Sequence, residues 1–294
     1  MSAARVMRIP PRVQGRTRNR SQLAAAALIV SFALLATTPA HAGRPCEDKK
    51  PTLAQIRQGM NLAQATAEAL DRSGAQVVLL ARAGQDLSEY GLRWSHVGFV
   101  YRDTLGGDQG GSSEAKPVWR VMHKLNQCGT AVADLYRQGL GEFFMDNPVR
   151  YEAAYAVLKP ELQEALLPML RENARAAALH TSPYNMVAYP WSTEYQQSNQ
   201  WALETLAAAA APREVFNRPQ AQAWLRRQGY TPTDLRLSTA KRLGARIGMA
   251  NVAFDDHPSA RRFAGHIDTT TADSIFSWLV RSGQGQAAQT VKAP

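Results

Sequence analysis

The pattern that most restricts how this chain can fold is a pair of strand-like runs that each carry a histidine. They are Trp94-Ser95-His96-Val97-Gly98-Phe99-Val100-Tyr101 and Val118-Trp119-Arg120-Val121-Met122-His123. Side chains alternate along a strand, so His96, Gly98 and Val100 share one face, and Val97, Phe99 and Tyr101 share the other. By the same rule His123 lies with Val121 and Leu125, while Met122 and Lys124 face the opposite way. Between the runs lies Leu105-Gly106-Gly107-Asp108-Gln109-Gly110-Gly111-Ser112-Ser113, which reads as a flexible turn. Two strands with a glycine-rich connection suggest a hairpin. One register of that hairpin makes His96 and His123 cross-strand neighbours, with Cβ atoms about 5 Å apart.

Other elements extend this core. Leu53, Ile56, Met60, Ala63 and Ala67 recur at helical spacing, so Pro51–Leu70 reads as a helix that Gly74 stops. Gln76–Ala81 reads as a short buried strand. Ala131–Met145 is expected to be helical, ending at Asp146-Asn147-Pro148, and Tyr151–Leu158 to be a strand. Pro160 suits the first turn of a helix running to about Asn173. After the aromatic and proline-rich loop 183–191, Ser192-Thr193-Glu194 opens a helix through Ser198 to Ala211. Short helices are expected near 221–228 and 240–247, strands near Leu235 and 251–254, and a last helix over 271–280. Helices and strands interleave without regular alternation, which points to the α+β class. No linker or internal repeat divides the chain. The reading is a single domain over 43–281, with a core at 76–210, an extension at 211–281 and a disordered tail at 282–294.

The first 42 residues are expected to be a secretory leader. Arg5, Arg8, Arg12, Arg16, Arg18 and Arg20 precede an apolar run from Leu23 to Ala36, and Ala40-His41-Ala42 supplies a cleavage pattern before Gly43. The apolar run falls short of a membrane span of about 20 residues. No stable span is expected after cleavage, and the product would be periplasmic or secreted. The leader takes six cations with it, so the formal charge falls from +10 for the whole chain to +4. A charge that small on a domain this size gives no support for nucleic-acid binding. Both cysteines, Cys46 and Cys128, lie beyond the leader. In an oxidising compartment they are expected to pair, stabilising the fold by roughly 4 kcal/mol. The competing reading makes Cys128, five residues past His123, a nucleophile.

Ser198 falls near the start of its helix, where unpaired N–H groups and the helix dipole favour developing negative charge. A serine there needs a general base, and His96 is the candidate, with His123 orienting it as the acid does in a Ser-His-Asp triad. Gln196, Gln197, Asn199 and Gln200 surround Ser198 with uncharged polar groups. They suit a polar pocket in which Tyr195, Gln197 and Asn199 would contact substrate. Asp255-Asp256-His257-Pro258 reads as turn chemistry rather than a metal site, and His180 stands at the start of the loop before the Ser198 helix. There is no phosphate-binding glycine loop, no Gly-x-Ser-x-Gly elbow and no paired-carboxylate pattern, so no cofactor is expected.

His96-Val97-Gly98-Phe99-Val100 resembles the His-x-Gly-hydrophobic strand of circularly permuted papain-like proteins, relatives of NlpC-type amidases and of lecithin:retinol acyltransferase. Gln197-Ser198-Asn199-Gln200-Trp201 resembles the Asn-Cys-x-x-aromatic helix start of that group, with Ser198 in the place of the cysteine. His123 matches the polar residue of the second strand. The resemblance covers about 76–210 and implies a permuted papain-like sheet with packed helices. By resemblance, Ser198 would be the acylated residue, His96 the base and His123 its orienting partner. The implied activity is hydrolysis or acyl transfer on an amide, ester or thioester of a cell-envelope peptide or lipid-linked substrate. The alternative is a catalytically inactive module binding a peptide or envelope partner. The whole exported chain also resembles an exported bacterial family, domain of unknown function 2145.

Overall fold

The computed structural model describes residues 50–105, 116–146 and 148–293, which all fall in the compact unit His41–Pro294. The leader, Cys46 and most of the glycine-rich connection lie outside the described residues.

Helix α1 (Leu53–Ser73) begins with a reciprocal cap: Gln55 N donates to Thr52 Oγ1 at 3.3 Å and Thr52 N donates to Gln55 Oε1 at 2.8 Å. It ends where Gly74 takes a left-handed φ of 68°. Leu62, Ala63, Thr66 and Leu70 form its buried stripe. The strands are β1 (Val77–Ala83), β2 (His96–Leu105), β3 (Lys116–Asn126), β4 (Ala133–Gly139), β5 (Arg150–Val157) and, from the C-terminal end, β8 (Gln289–Lys292). They form one six-stranded sheet in the order β4-β3-β2-β1-β5-β8, antiparallel at every pairing. The α+β class holds.

Strand alternation builds two cores, one on each face of this sheet. Val77, Leu79, Ala81, Val97, Phe99, Tyr101 and Met122 point to the first. That face is covered by α3 (Pro160–Arg171), α5 (Ser198–Ala210) and α9 (Ala272–Arg281), through side chains such as Leu166, Trp201 and Trp278. Val78, Leu80, Val100, Val121 and Tyr155 point to the second, where α1 and the short helix α2 (Leu140–Phe144) supply Leu62, Leu70, Phe143 and Phe144. Burial on both faces explains why all seven residues of β1 are buried and why its sequence is an unbroken apolar run save for Arg82. The remaining elements are α4 (Asn173–Ala176), α6 (Arg218–Arg227), α7 (Thr239–Gly248), α8 (Ser259–Phe263) and the separate hairpin β6 (Thr233–Arg236) with β7 (His266–Thr269).

Four expectations change. The stretch 131–145 is mainly strand: β4 pairs with β3 over its whole length, and only 140–144 is helical. Residues such as Leu135, Arg137 and Gln138 favour helix locally, and the main-chain bonds offered by β3 override them. The helix expected from Ser192 starts at Ser198. The carbonyls of Ser192, Thr193 and Tyr195 accept hydrogen bonds from the Arg218 guanidinium instead. The 251–254 segment is not a strand; the Asn185 side chain pairs with both backbone groups of Ala253, accepting from N at 3.1 Å and donating to O at 2.9 Å. The tail expected to be disordered instead supplies β8, with Val291 packed against the second core.

Candidate functional site

The two histidines that define the hairpin do meet. The register Phe99↔Met122 sets His123 beside Gly98 rather than opposite His96, and the rings meet on the diagonal. Gly98 makes this approach possible, since a Cβ there would lie 2.9 Å from Val121 Cγ1 and 3.1 Å from His123 Cβ. His96 Nε2 lies 2.9 Å from His123 Nδ1, and His123 Nε2 lies 2.8 Å from Gln138 Oε1. With Gln138 presenting its carbonyl oxygen, His123 donates from Nε2 and accepts at Nδ1. His96 then donates from Nε2, and its Nδ1 keeps the lone pair. Phe143 closes over both rings, with centroids 5.9 Å from His96 and 5.2 Å from His123. Burial, then the neighbouring Arg82 guanidinium, hold His96 well below the usual imidazole range and His123 at about 3. Both rings are therefore neutral. Arg82 donates to Phe143 O and pairs with Asp146 at 2.5 Å, fixing α2 over the histidines.

Ser198 does not join them. His96 shares its face with Val100, in the core under α1 and α2, whereas α5 packs Trp201 onto Phe99 from the other side, with ring centroids 5.7 Å apart. The sheet stands between the two side chains. Ser198 is buried, and its hydroxyl faces the Tyr184 phenol, itself buried and with its pKa raised chiefly by that burial. Its neighbours are equally engaged. Asn199 Oδ1 accepts from Val97 N at 3.0 Å, and Gln197 Nε2 donates to Thr269 Oγ1 at 2.6 Å. Tyr195 Oη donates to Asp255 Oδ2 at 3.2 Å. The amide run that suggested a wet pocket is structural: it ties the start of α5 to β2 and to the β7 segment.

Beneath it lies a buried polar network centred on Glu204. Its carboxylate accepts from Arg218 Nε at 2.8 Å, Gln196 Nε2 at 2.6 Å, Gln222 Nε2 at 2.8 Å and Gln200 Nε2 at 3.2 Å. Lys124, on the strand face opposite His123, reaches into it. Its ammonium donates to Thr181 O at 2.6 Å and to Gln196 Oε1 at 2.8 Å, and burial followed by the Arg218 charge lowers it to about 7. Sequence reasoning missed Lys124, although the signal was present: a lysine alternating onto the same face as Met122 in an apolar strand.

The remaining candidates are placed as follows. Cys46 lies outside the described residues, so its pairing with Cys128 stays an expectation. His257 ties a turn together, bridging Asp256 Oδ1 at 2.9 Å and the Asp268 carbonyl at 3.0 Å. Among the described residues no group of three metal-ligating side chains converges, and no helix is long and apolar enough to cross a membrane.

Fold and site together define an α+β protein whose twin-cored antiparallel sheet buries a neutral histidine pair on one face and an ionic glutamine-rich network on the other. The family model described as "Uncharacterized protein conserved in bacteria (DUF2145)" matches residues 69–279, and the chain belongs to that family. No curated protein and no solved structure matches it. The matched span runs from the end of α1 through most of α9, and so includes the His96–His123 pair and the Glu204 network.

Proposed function

We propose that this protein is an exported binding module for an extended peptide of the cell envelope, rather than a serine-dependent acyl-transfer enzyme. The observation that carries the reading is a groove of about 590 Å³ between α1 and the end of the sheet, within the range of small-ligand sites. Glu68 and Arg72 of α1, Tyr155 and Val157 of β5, and Gln289, Thr290 and Lys292 of β8 line it. β8 is the last strand in the sheet order, so among the described residues no strand pairs with its outer side, where a peptide strand could add. Acidic and basic groups across the groove suit a peptide carrying both charges. Export rests on the arginine-rich, apolar leader with its Ala-His-Ala site.

The test is panning a displayed peptide library against residues 41–294 and against the same unit with Ala69→Trp, which fills the groove. Enrichment on the first alone is the expected result. Equal enrichment on both, or none on either, removes the peptide reading. The Gln138–His123–His96 chain supports a second reading, general-base chemistry at His96 Nδ1. Ser198 is separated from that base, so no fluorophosphonate labelling is expected. Labelling that disappears in Ser198→Ala restores the acyl-transfer proposal.

A further inference from the structure

Helix α7 is turned inside out for a surface helix. Its one buried residue is Arg242, while Leu243 and Ile247, one turn apart, are 60% and 62% exposed. Ala240 and Gly244 complete the same stripe, since residues three and four apart share a helix face. Lys241 flanks the stripe on one side and Arg246 on the other. Helix α8 ends in a third exposed apolar side chain, Phe263, at 73%. The segments flanking the two helices meet at Gly265, which follows α8. Leu237 N donates to Gly265 O at 2.9 Å, and Arg242 Nη1 donates to Leu237 O at 3.1 Å.

The charge around this apolar surface is unbalanced. Neither α7 nor α8 contains an acid, and between them they carry Lys241, Arg242, Arg246, Arg261 and Arg262. Most nearby carboxylates are already paired with cations, Glu89 with Lys241 and Asp268 with both Nε and Nη2 of Arg261, whereas the exposed Asp255 accepts from the Tyr195 hydroxyl. Asp234 pairs with Arg236 and His266. Arg246 and Arg262 hydrogen-bond to main-chain oxygens, those of Val252 at 3.4 Å and Phe254 at 2.9 Å, and the Arg262 guanidinium also lies 5.0 Å from the centre of the Phe263 ring. Two guanidiniums without carboxylate partners among the described residues thus border three exposed apolar side chains.

We propose that α7 and the end of α8 form a docking surface for an anionic lipid bilayer, with Leu243, Ile247 and Phe263 entering the acyl boundary and Arg246 and Arg262 meeting lipid phosphates. Apolar burial plus attraction to anionic headgroups is how short amphipathic helices hold to an interface. Each arginine near such a surface contributes about fivefold to binding. The surface is independent of the peptide groove.

The test is co-sedimentation of residues 41–294, which omit the apolar leader, with vesicles of phosphatidylcholine alone or with about one third phosphatidylglycerol. Binding at least tenfold stronger to the anionic vesicles is expected, falling at least tenfold in Leu243→Asp/Ile247→Asp and about fivefold in each of Arg246→Gln and Arg262→Gln. All four positions are outside the buried cores, and unchanged thermal melts confirm that the variants fold. Failure to sediment, equal binding to both vesicles, or wild-type binding by the Leu243/Ile247 variant overturns the proposal. So does a concentration-dependent dimer abolished by that variant, which assigns the face to a second copy of the chain.

Discussion

Glu204 is the point at which the fold is most exposed to a single substitution. Its side chain is 1% accessible, and that of its partner Arg218 is 7%. Removing one member of a buried ion pair leaves the other charged and without compensation, at a cost of about 3–5 kcal/mol. Three glutamine amides also lose their acceptor in Glu204→Ala. Against a total stability of about 5–15 kcal/mol for a domain, that is a large fraction. Arg218→Met should cost a comparable amount, because it frees the carbonyls of Ser192, Thr193 and Tyr195 as well as the carboxylate. The double variant Glu204→Leu/Arg218→Met removes both charges, so its cost should fall short of the sum of the singles by about 2 kcal/mol or more. Urea unfolding followed by tryptophan fluorescence measures all three, with Trp201 on the same helix as a reporter. A Glu204→Ala penalty below about 1 kcal/mol, or simple additivity in the double variant, would refute the network as an energetic unit.

Gly98→Ala forces a methyl against Val121 and His123, so a loss of about 1–3 kcal/mol is expected in the same unfolding assay; wild-type stability would mean β2 and β3 are not this close. His96 and His123 bind protons less readily folded than unfolded, so the unfolded chain takes up more protons as the pH drops below about 6.5. Stability should therefore be lost over that interval, toward about 3 for His123, and NMR signals from either ring titrating near 6.5 would contradict their burial. Lys124 is likewise lowered, to about 7, so its burial penalty is fully present below that pH and is relieved as the pH rises toward 10.5. Lys124→Met should flatten the rise in urea midpoint between pH 7 and 10, and an unchanged slope would place the amine in contact with water. Thiol titration of the exported form under denaturing, non-reducing conditions should find no free thiol, and two free thiols would end the Cys46–Cys128 pairing.

The sequence alone determined those elements whose signals are local. The stripe from Leu53 to Ala67 and the stop at Gly74 made α1 legible, because burial on one helix face imposes a 3.6-residue period. Alternation over 96–101 and 118–125 made the hairpin legible and assigned each histidine to a strand face. It also put Lys124 on the face away from His123, where the structure finds it. What sequence could not supply was the partner of each face. Nothing in Ser198 or its amide neighbours says which side of the sheet their helix covers, and the answer separates Ser198 from His96. The edge strands were hidden for the same reason. Ala133–Gly139 and Gln289–Lys292 are polar and only half covered, so their strand character comes from main-chain bonds offered by β3 and β5, not from their own side chains. Local periodicity records whether a residue is buried; only the assembled sheet decides against what.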